Sequence, residues 1–244
     1  MTNDRVPTGV EGLDDLIGGG FRQGKSYLIS GETGTGKTTF GLQFLMKGLE
    51  LGEGGVYVTA DEKPGDLLED ANSFGFEMVN GIDQKKIVLL DYSAHFDQIR
   101  EKGGEIDVRK IVGDLNKYIK QINAKRLVID PIAPFVVKEE KMWEIRSYIR
   151  ALFYALDGLG TTTLLGSAVP TGTSNLSQFG VEEFYASGII VLSIVRMEKM
   201  SPRRIMIVRK MRGSAHTLEP FIYDFEHGKG IVVQQRLAED FELG

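Results

Sequence analysis

The chain has 244 residues, 42% of them hydrophobic and 26% charged, which suits one large water-soluble α/β domain with a sizeable core. Its formal net charge of −5 excludes a chain-wide basic footprint for nucleic acid, though not a local basic patch. It has no cysteine, so disulfides, thiol catalysis and cysteine-based zinc sites are excluded together, and a reducing cytoplasm is the expected compartment.

The N-terminal Met1-Thr2-Asn3-Asp4-Arg5 carries no apolar signal-peptide core. No apolar run approaches the ~20 residues needed to cross a bilayer, so no membrane span is expected. The first strong element is the β-type run Ser26-Tyr27-Leu28-Ile29-Ser30. It leads into Gly31-Glu32-Thr33-Gly34-Thr35-Gly36-Lys37-Thr38, a complete G-x-x-x-x-G-K-[ST] phosphate-binding loop, and then into an amphipathic helix over about 37–51. Strand, loop and helix are the context this motif needs. Glycines let the backbone wrap a polyphosphate, and successive N–H groups at the helix start point at the anion. Lys37 adds a point charge for the β- and γ-phosphates, and the Thr38 hydroxyl is a Mg²⁺ ligand candidate. The chain is therefore expected to bind a nucleoside triphosphate.

The next strand, Val56–Thr59, ends in Asp61-Glu62. Adjacent carboxylates after an apolar strand suit a group that polarises an attacking water. The alternative is a solvated cap for the helix that follows at 65–75. A strand at Ile87–Leu90 and a helix at 108–123 come next, and then Arg126-Leu127-Val128-Ile129-Asp130. An apolar strand ending in Asp downstream of a phosphate loop points to a Mg²⁺-side carboxylate, and Pro131 ends the strand there. The helix at 140–158 is strongly amphipathic, with Trp143, Ile145, Ile149, Leu152, Phe153 and Leu156 near one stripe, and Trp143 reads as a core residue. After the strand Thr162–Leu165, helices give way from residue 188 to strands at 189–195, 205–208, 221–223 and 231–233. These read as antiparallel hairpins extending one sheet edge, with turns at Met200-Ser201-Pro202 and Gly228-Lys229-Gly230. Alternating strands and helices before them call for a mostly parallel sheet flanked by helices. His95, His216 and His227 lie too far apart in sequence to suggest a metal site. Lys210 and Arg212, two apart in a strand, project to one face while Met211 points away. By spacing alone they are either solubility charges or arginine-finger-type groups.

These residues together resemble the KaiC family of RecA-like ATPases. The resemblance begins with Arg5-Val6-Pro7-Thr8-Gly9-Val10-Glu11-Gly12-Leu13-Asp14-Asp15-Leu16-Ile17-Gly18-Gly19-Gly20. It continues through the phosphate loop, Asp61-Glu62, Ala71–Phe76, Asp130, Gly180–Phe184 and Lys210–His216, from about Val6 to Val233. It implies one RecA-like domain over 1–244, a single lobe where the clock protein has two. It also implies that Gly34, Thr35, Gly36, Lys37, Thr38 and Thr39 bind the nucleotide, with Ser73 near the base. Lys210, Met211, Arg212, Ser214 and His216 would reach the nucleotide of an adjacent subunit. The site would then be complete only in a ring, a homohexamer.

Two departures from the family pattern stand out. Asp61 replaces a glutamate and is one methylene shorter; a base about 1 Å too far back loses roughly 10²-fold in rate, so hydrolysis is expected to be slow or to shift to Glu62. Glu182 and Glu183 stand where the autokinase lobe has Ser and Thr, so the chain resembles the lobe that only hydrolyses ATP. The expected function is thus Mg-dependent ATP hydrolysis coupled to assembly or partner exchange. Alternatives are a RecA/RadB-like DNA-binding recombination protein and an autophosphorylating kinase. The candidate channel loop Thr171–Phe179 has no Lys or Arg, which counts against nucleic acid.

Overall fold

The computed structural model describes residues 4–102, 106–136, 141–173, 175–196 and 201–237. The strands β1 (Arg5–Val6) and β2 (Phe21–Arg22) form a small antiparallel ribbon enclosing the short helix α1 (Leu13–Leu16). β3 (Ser26–Gly31) passes through the phosphate loop into α2 (Lys37–Glu50). β4 (Gly54–Thr59), α3 (Pro64–Ser73), α4 (Met78–Asp83), β5 (Ile87–Asp91) and α5 (Ser93–Glu101) follow. α6 (Val108–Gln121) starts where the Asp107 side chain accepts from the N–H groups of Arg109 and Lys110, an N-cap that satisfies two orphan donors. Then come β6 (Ala124–Asp130), a 3₁₀ turn at Ala133–Phe135, α7 (Met142–Asp157), β7 (Thr162–Ala168) and α8 (Glu182–Tyr185). The described chain closes with β8 (Gly188–Val195), β9 (Arg203–Met211), β10 (Phe221–Glu226) and β11 (Gly230–Arg236).

Nine strands form one sheet in the order β11-β10-β9-β8-β3-β7-β6-β4-β5. The run from β8 to β5 is parallel, so its strands end on one side of the sheet. Active residues of open α/β sheets gather at that carboxyl edge. β9, β10 and β11 add antiparallel neighbours beyond β8. The antiparallel hairpins expected from residue 188 are present, β8 pairing with β9 and β10 with β11. β8 is antiparallel to β9 but runs parallel to β3, because the segment after β7 carries the chain back to the opposite end of the sheet, where Ser187 N–H meets the Ser26 carbonyl.

Period-two alternation splits the strands between two cores. Tyr27, Ile29, Tyr57 and Val128 face the side covered by α2 and α3, while Leu28, Val56, Val58, Leu127 and Ile129 face α6 and α7. On α7 the buried stripe is Ile149, Leu152, Phe153 and Leu156. Trp143 is not part of it: the residue is 66% exposed, correcting the core assignment. At about 100° per residue it lies about 120° round the axis from Ile149, off the buried stripe. The Gly228–Gly230 turn joins β10 to β11 as expected, with both glycines at φ 79°. Met200 of the other expected turn lies outside the described residues. α4, α5 and α8 gave no usable sequence signal; the first and last of these are too short to show a period.

Candidate functional site

The phosphate loop leaves the carboxyl end of β3, the strand between β7 and β8. Gly34 and Gly36 hold φ of 82° and 95°, values that L side chains rarely adopt. A Cβ on Gly34 would meet nothing within 4 Å, so this arc of the loop is open, whereas one on Gly36 would fall 2.6 Å from the Phe225 ring. Thr35 is fully buried and its hydroxyl donates to the Glu32 carbonyl at 2.8 Å. Thr39, the third residue of α2, is buried. Lys37 Nζ donates to the carbonyls of Gly31 and Glu32, both at 2.9 Å, which keeps the ammonium inside the loop's arc. Burial pushes its pKa down, opposed by Asp130.

Asp130 ends β6 two strands away, yet Thr38 Oγ1 donates to its Oδ2 at 2.8 Å. Burial pushes the Asp130 carboxyl up, against the Thr38 hydroxyl, the Lys37 charge and the Tyr57 hydroxyl. A threonine oxygen and one carboxylate are hard donors suited to Mg²⁺, which characteristically takes few protein ligands and completes its shell with phosphate and water. Among the described residues no cluster of three or more His, Asp or Glu side chains offers a separate metal cage.

β4 lies directly beside β6, with Thr59 level with Asp130, so Asp61 and Glu62 follow at the edge of the same site. The capping alternative fails for both. α3 begins at Pro64 after Lys63, with no side-chain cap. Instead the Thr59 hydroxyl donates to the Glu62 carbonyl at 2.7 Å and closes a tight turn. Glu62 is half-buried, and desolvation, then Asp70, Asp130 and Asp66, push its carboxyl up. Asp61 is exposed and lines a cleft of about 410 Å³ together with Pro131, Ala133, Ala168, Gln178 and Phe179. A larger cavity of about 750 Å³ lies against the far half of α2 and includes no residue of the phosphate loop.

On the other flank, Phe225 of β10 packs against the loop at Gly36 and against Phe74, with ring centroids 5.7 Å apart. Ser73 sits at this aromatic ledge, its carbonyl 3.1 Å from His227 Nδ1. Tyr223 Oη donates to the Thr35 carbonyl at 2.5 Å. Tyr57, Tyr223 and Phe225 were missed by sequence reasoning, because aromatics in strands read as core. The two tyrosines carried a usable signal: a buried phenol needs a partner for its hydroxyl.

Lys210 and Arg212 both reach the α8 carbonyls, although Arg212 lies one residue past the end of β9 rather than in the strand, and they stand apart from the loop. Lys210 Nζ donates to the Glu183 carbonyl at 2.6 Å and Arg212 Nη2 to the Phe184 carbonyl at 2.8 Å. Met211 is level with Gly188, which is level with Tyr27, near the start of β3. The loop begins at Gly31, about 13 Å further along at about 3.3 Å per residue. Met211 is buried against Gly188, and its carbonyl accepts from the Ser214 N–H at 3.3 Å. Ser214 accepts from Arg5 at 2.6 Å, and His216 Nδ1 lies 3.2 Å from the Ser214 carbonyl. Glu182 is fully buried and gathers the Ser177 hydroxyl and the N–H groups of Phe179 and Val181, so it organises the loop before α8.

A mostly parallel sheet, a phosphate loop after its central strand, and carboxylates at the end of β6 and just after β4 define a RecA-like phosphate-loop NTPase domain. Comparison with known proteins narrows the class. The family model described as "ATPase: KaiC" matches residues 6–238, and the chain belongs to that family of nucleotide-binding ATPases. The circadian clock oscillator protein KaiC of Parasynechococcus marenigrum is 34% identical over 233 residues, 95% of this chain and 45% of that protein. The circadian clock protein KaiC2 of a Synechocystis species is 32% identical over 231 residues, 93% of this chain and 40% of that one. The chain thus spans about half the length of the clock relatives it matches. A crystal structure of a KaiC-like protein from Pyrococcus horikoshii superimposes with a TM-score of 0.80 at 36% identity, covering 94% of this chain and 98% of that one. Among the described residues no helix is long and apolar enough to cross a membrane.

Proposed function

We propose that the protein is a slow Mg-dependent ATPase that works as a ring, in the first instance a homohexamer in the cytoplasm. Nucleotide state would govern ring assembly or partner binding. The observation that carries this reading is the separation of the two charged groups along β3. Lys210 and Arg212 lie at the end of the sheet remote from the loop of their own subunit, yet carry the cations that phosphoryl transfer uses. A neighbouring subunit's nucleotide is the partner that makes sense of that position.

The chemistry follows from the residues. Loop N–H groups and Lys37 bind the β- and γ-phosphates of ATP, and Ser73 lies on the base side. Thr38 and Asp130 would hold Mg²⁺, which when bound offsets charge on the phosphate oxygens. Glu62, assisted or replaced by Asp61, accepts a proton from the attacking water as its oxygen bonds to the γ-phosphorus. The bond from that phosphorus to the β–γ bridging oxygen breaks, and ADP carries the bridging oxygen away. The raised Glu62 pKa fits a base. Arg212 and Lys210 of the next subunit, with the Met211–His216 main chain and side chains around them, stabilise the transferring group. The buried Glu182 offers no acceptor hydroxyl for autophosphorylation.

The test is Lys37→Ala. Calorimetry should show tight ATP binding in the wild type and its loss in the variant, and native mass should show ring assembly of the wild type with a Mg·ATP analogue. Wild-type-like ATP affinity in the variant sinks the nucleotide assignment, and a wild-type monomer under all nucleotide conditions sinks the ring.

A further inference from the structure

Tyr57 sits in the middle of β4, fully buried, facing the core beneath α2. Its ring fits because residue 41 of α2 is glycine: a Cβ there would lie 3.3 Å from the Tyr57 ring and 2.8 Å from Val128. Tyr57 is level with Val128 of β6, so Asp130, two residues further along, is its diagonal neighbour on the same face. Such diagonals are within reach of an aromatic side chain. The hydroxyl closes the distance: Tyr57 Oη donates to Asp130 Oδ2 at 3.2 Å. Thr38 donates to that same oxygen at 2.8 Å. The other carboxylate oxygen lies over Gly166 of β7, where a Cβ would approach it to 2.1 Å. The Asp130 carboxylate is therefore fixed from three sides, by α2, β4 and β7. Of the two hydroxyls that donate to the carboxylate, the tyrosine's is the one outside the phosphate-loop motif.

We propose that Tyr57 is the positioning residue for the magnesium-side carboxylate. This rests on the reading of Thr38 and Asp130 as the Mg²⁺ residues. With two hydroxyl donors on one carboxylate oxygen, the carboxylate plane is held against rotation. A phenylalanine at 57 preserves the packing under Gly41 and removes only the donor. The carboxylate then has one donor fewer and an extra rotational freedom. Loss of a hydrogen-bond partner behind a metal-holding group typically costs about 10–100-fold in metal affinity.

The experiment uses the full chain and reads Mg²⁺ affinity rather than turnover. A fluorescent ATP analogue is bound in EDTA and then titrated with Mg²⁺ while the gain in nucleotide affinity is followed. In Tyr57→Phe the Mg²⁺ half-saturation should rise about 10–100-fold, with nucleotide affinity in EDTA within about twofold of wild type. The effect should vanish in the Asp130→Ala background, because the hydroxyl acts through that carboxylate. Thermal melting confirms that each variant is folded. Mg²⁺ half-saturation of the folded Tyr57→Phe protein within twofold of wild type overturns the proposal. So does an equal loss of affinity in EDTA, which marks general damage to the loop, or persistence of the effect without Asp130. Tyr57→Met, which refills the space without a hydroxyl, should reproduce the Phe result and decides the matter if the Phe variant does not fold. A wild type whose nucleotide affinity ignores Mg²⁺ overturns the underlying Thr38–Asp130 reading instead, a different and recognisable result.

Discussion

The two ends of β3 carry opposite kinds of order. At its carboxyl end the phosphate loop is tied into its own subunit on every side: Tyr223 holds the Thr35 carbonyl, Thr38 and Tyr57 converge on Asp130, and Phe225 lies against Gly36. At the other end Lys210 and Arg212 are held only by the main-chain carbonyls of Glu183 and Phe184. Carbonyls orient a cation without cancelling its charge. One end is therefore a finished binding site for an anion. The other is a pair of cations held on main-chain carbonyls, with the Glu183 carboxylate acting on Lys210. Preorganised donors act best when no reorganisation is needed at the moment of reaction, and the side chains at both ends are already held in place.

Arg212→Ala breaks this comparison most severely. Ring hydrolysis should fall, by as much as the roughly 10³–10⁵-fold of a lost arginine finger, while ATP binding to an isolated subunit is spared. Mixing Arg212→Ala with Lys37→Ala subunits should restore part of the activity, since some intact loops then meet intact arginines. If demonstrably mixed rings recover nothing at any ratio, the two ends do not meet across a subunit boundary.

The loop end is tested by its carboxylates. Glu62→Gln should bind ATP and lose about 10²–10⁴-fold in steady-state hydrolysis, the range for a general base. Asp61→Asn should lose less, because Asp61 is exposed at the cleft while Glu62 is half-buried with its pKa raised. Full turnover in the double variant would remove both from the chemistry.

The smallest effect concerns pH. Burial, aided by Arg212 and opposed by Glu183, pushes the Lys210 pKa down to about 8. The ammonium is therefore charged below that pH and lost above it. Hydrolysis by assembled rings should decline as pH rises through about 8, and Lys210→Gln should flatten that limb of the profile. An unchanged alkaline limb in the variant would show that Arg212 alone carries the role.

The sequence by itself determined the chemistry that depends on local spacing. Gly34, Gly36, Lys37 and Thr38 act within one turn of backbone, and a motif of that kind is complete on the page. The strand-ending Asp130 and Asp61-Glu62 were legible as candidates because carboxylates after apolar strands are out of place without a reason. That they converge was decided by strand order: β6 and β4 are neighbours, and every parallel strand ends on the same edge. Only tertiary structure could separate Lys210 and Arg212 from their own loop, because that follows from the antiparallel direction of β9 against β8, which no local pattern encodes. It likewise exposed Trp143 by turning the buried face of α7 elsewhere, and assigned Tyr57 and Tyr223 to the site. A tyrosine in a strand looks the same in sequence whether its hydroxyl meets a core carbonyl or the carboxylate beside a phosphate loop. What distinguishes the two is the register of the neighbouring strand, a long-range property that pairing alone establishes.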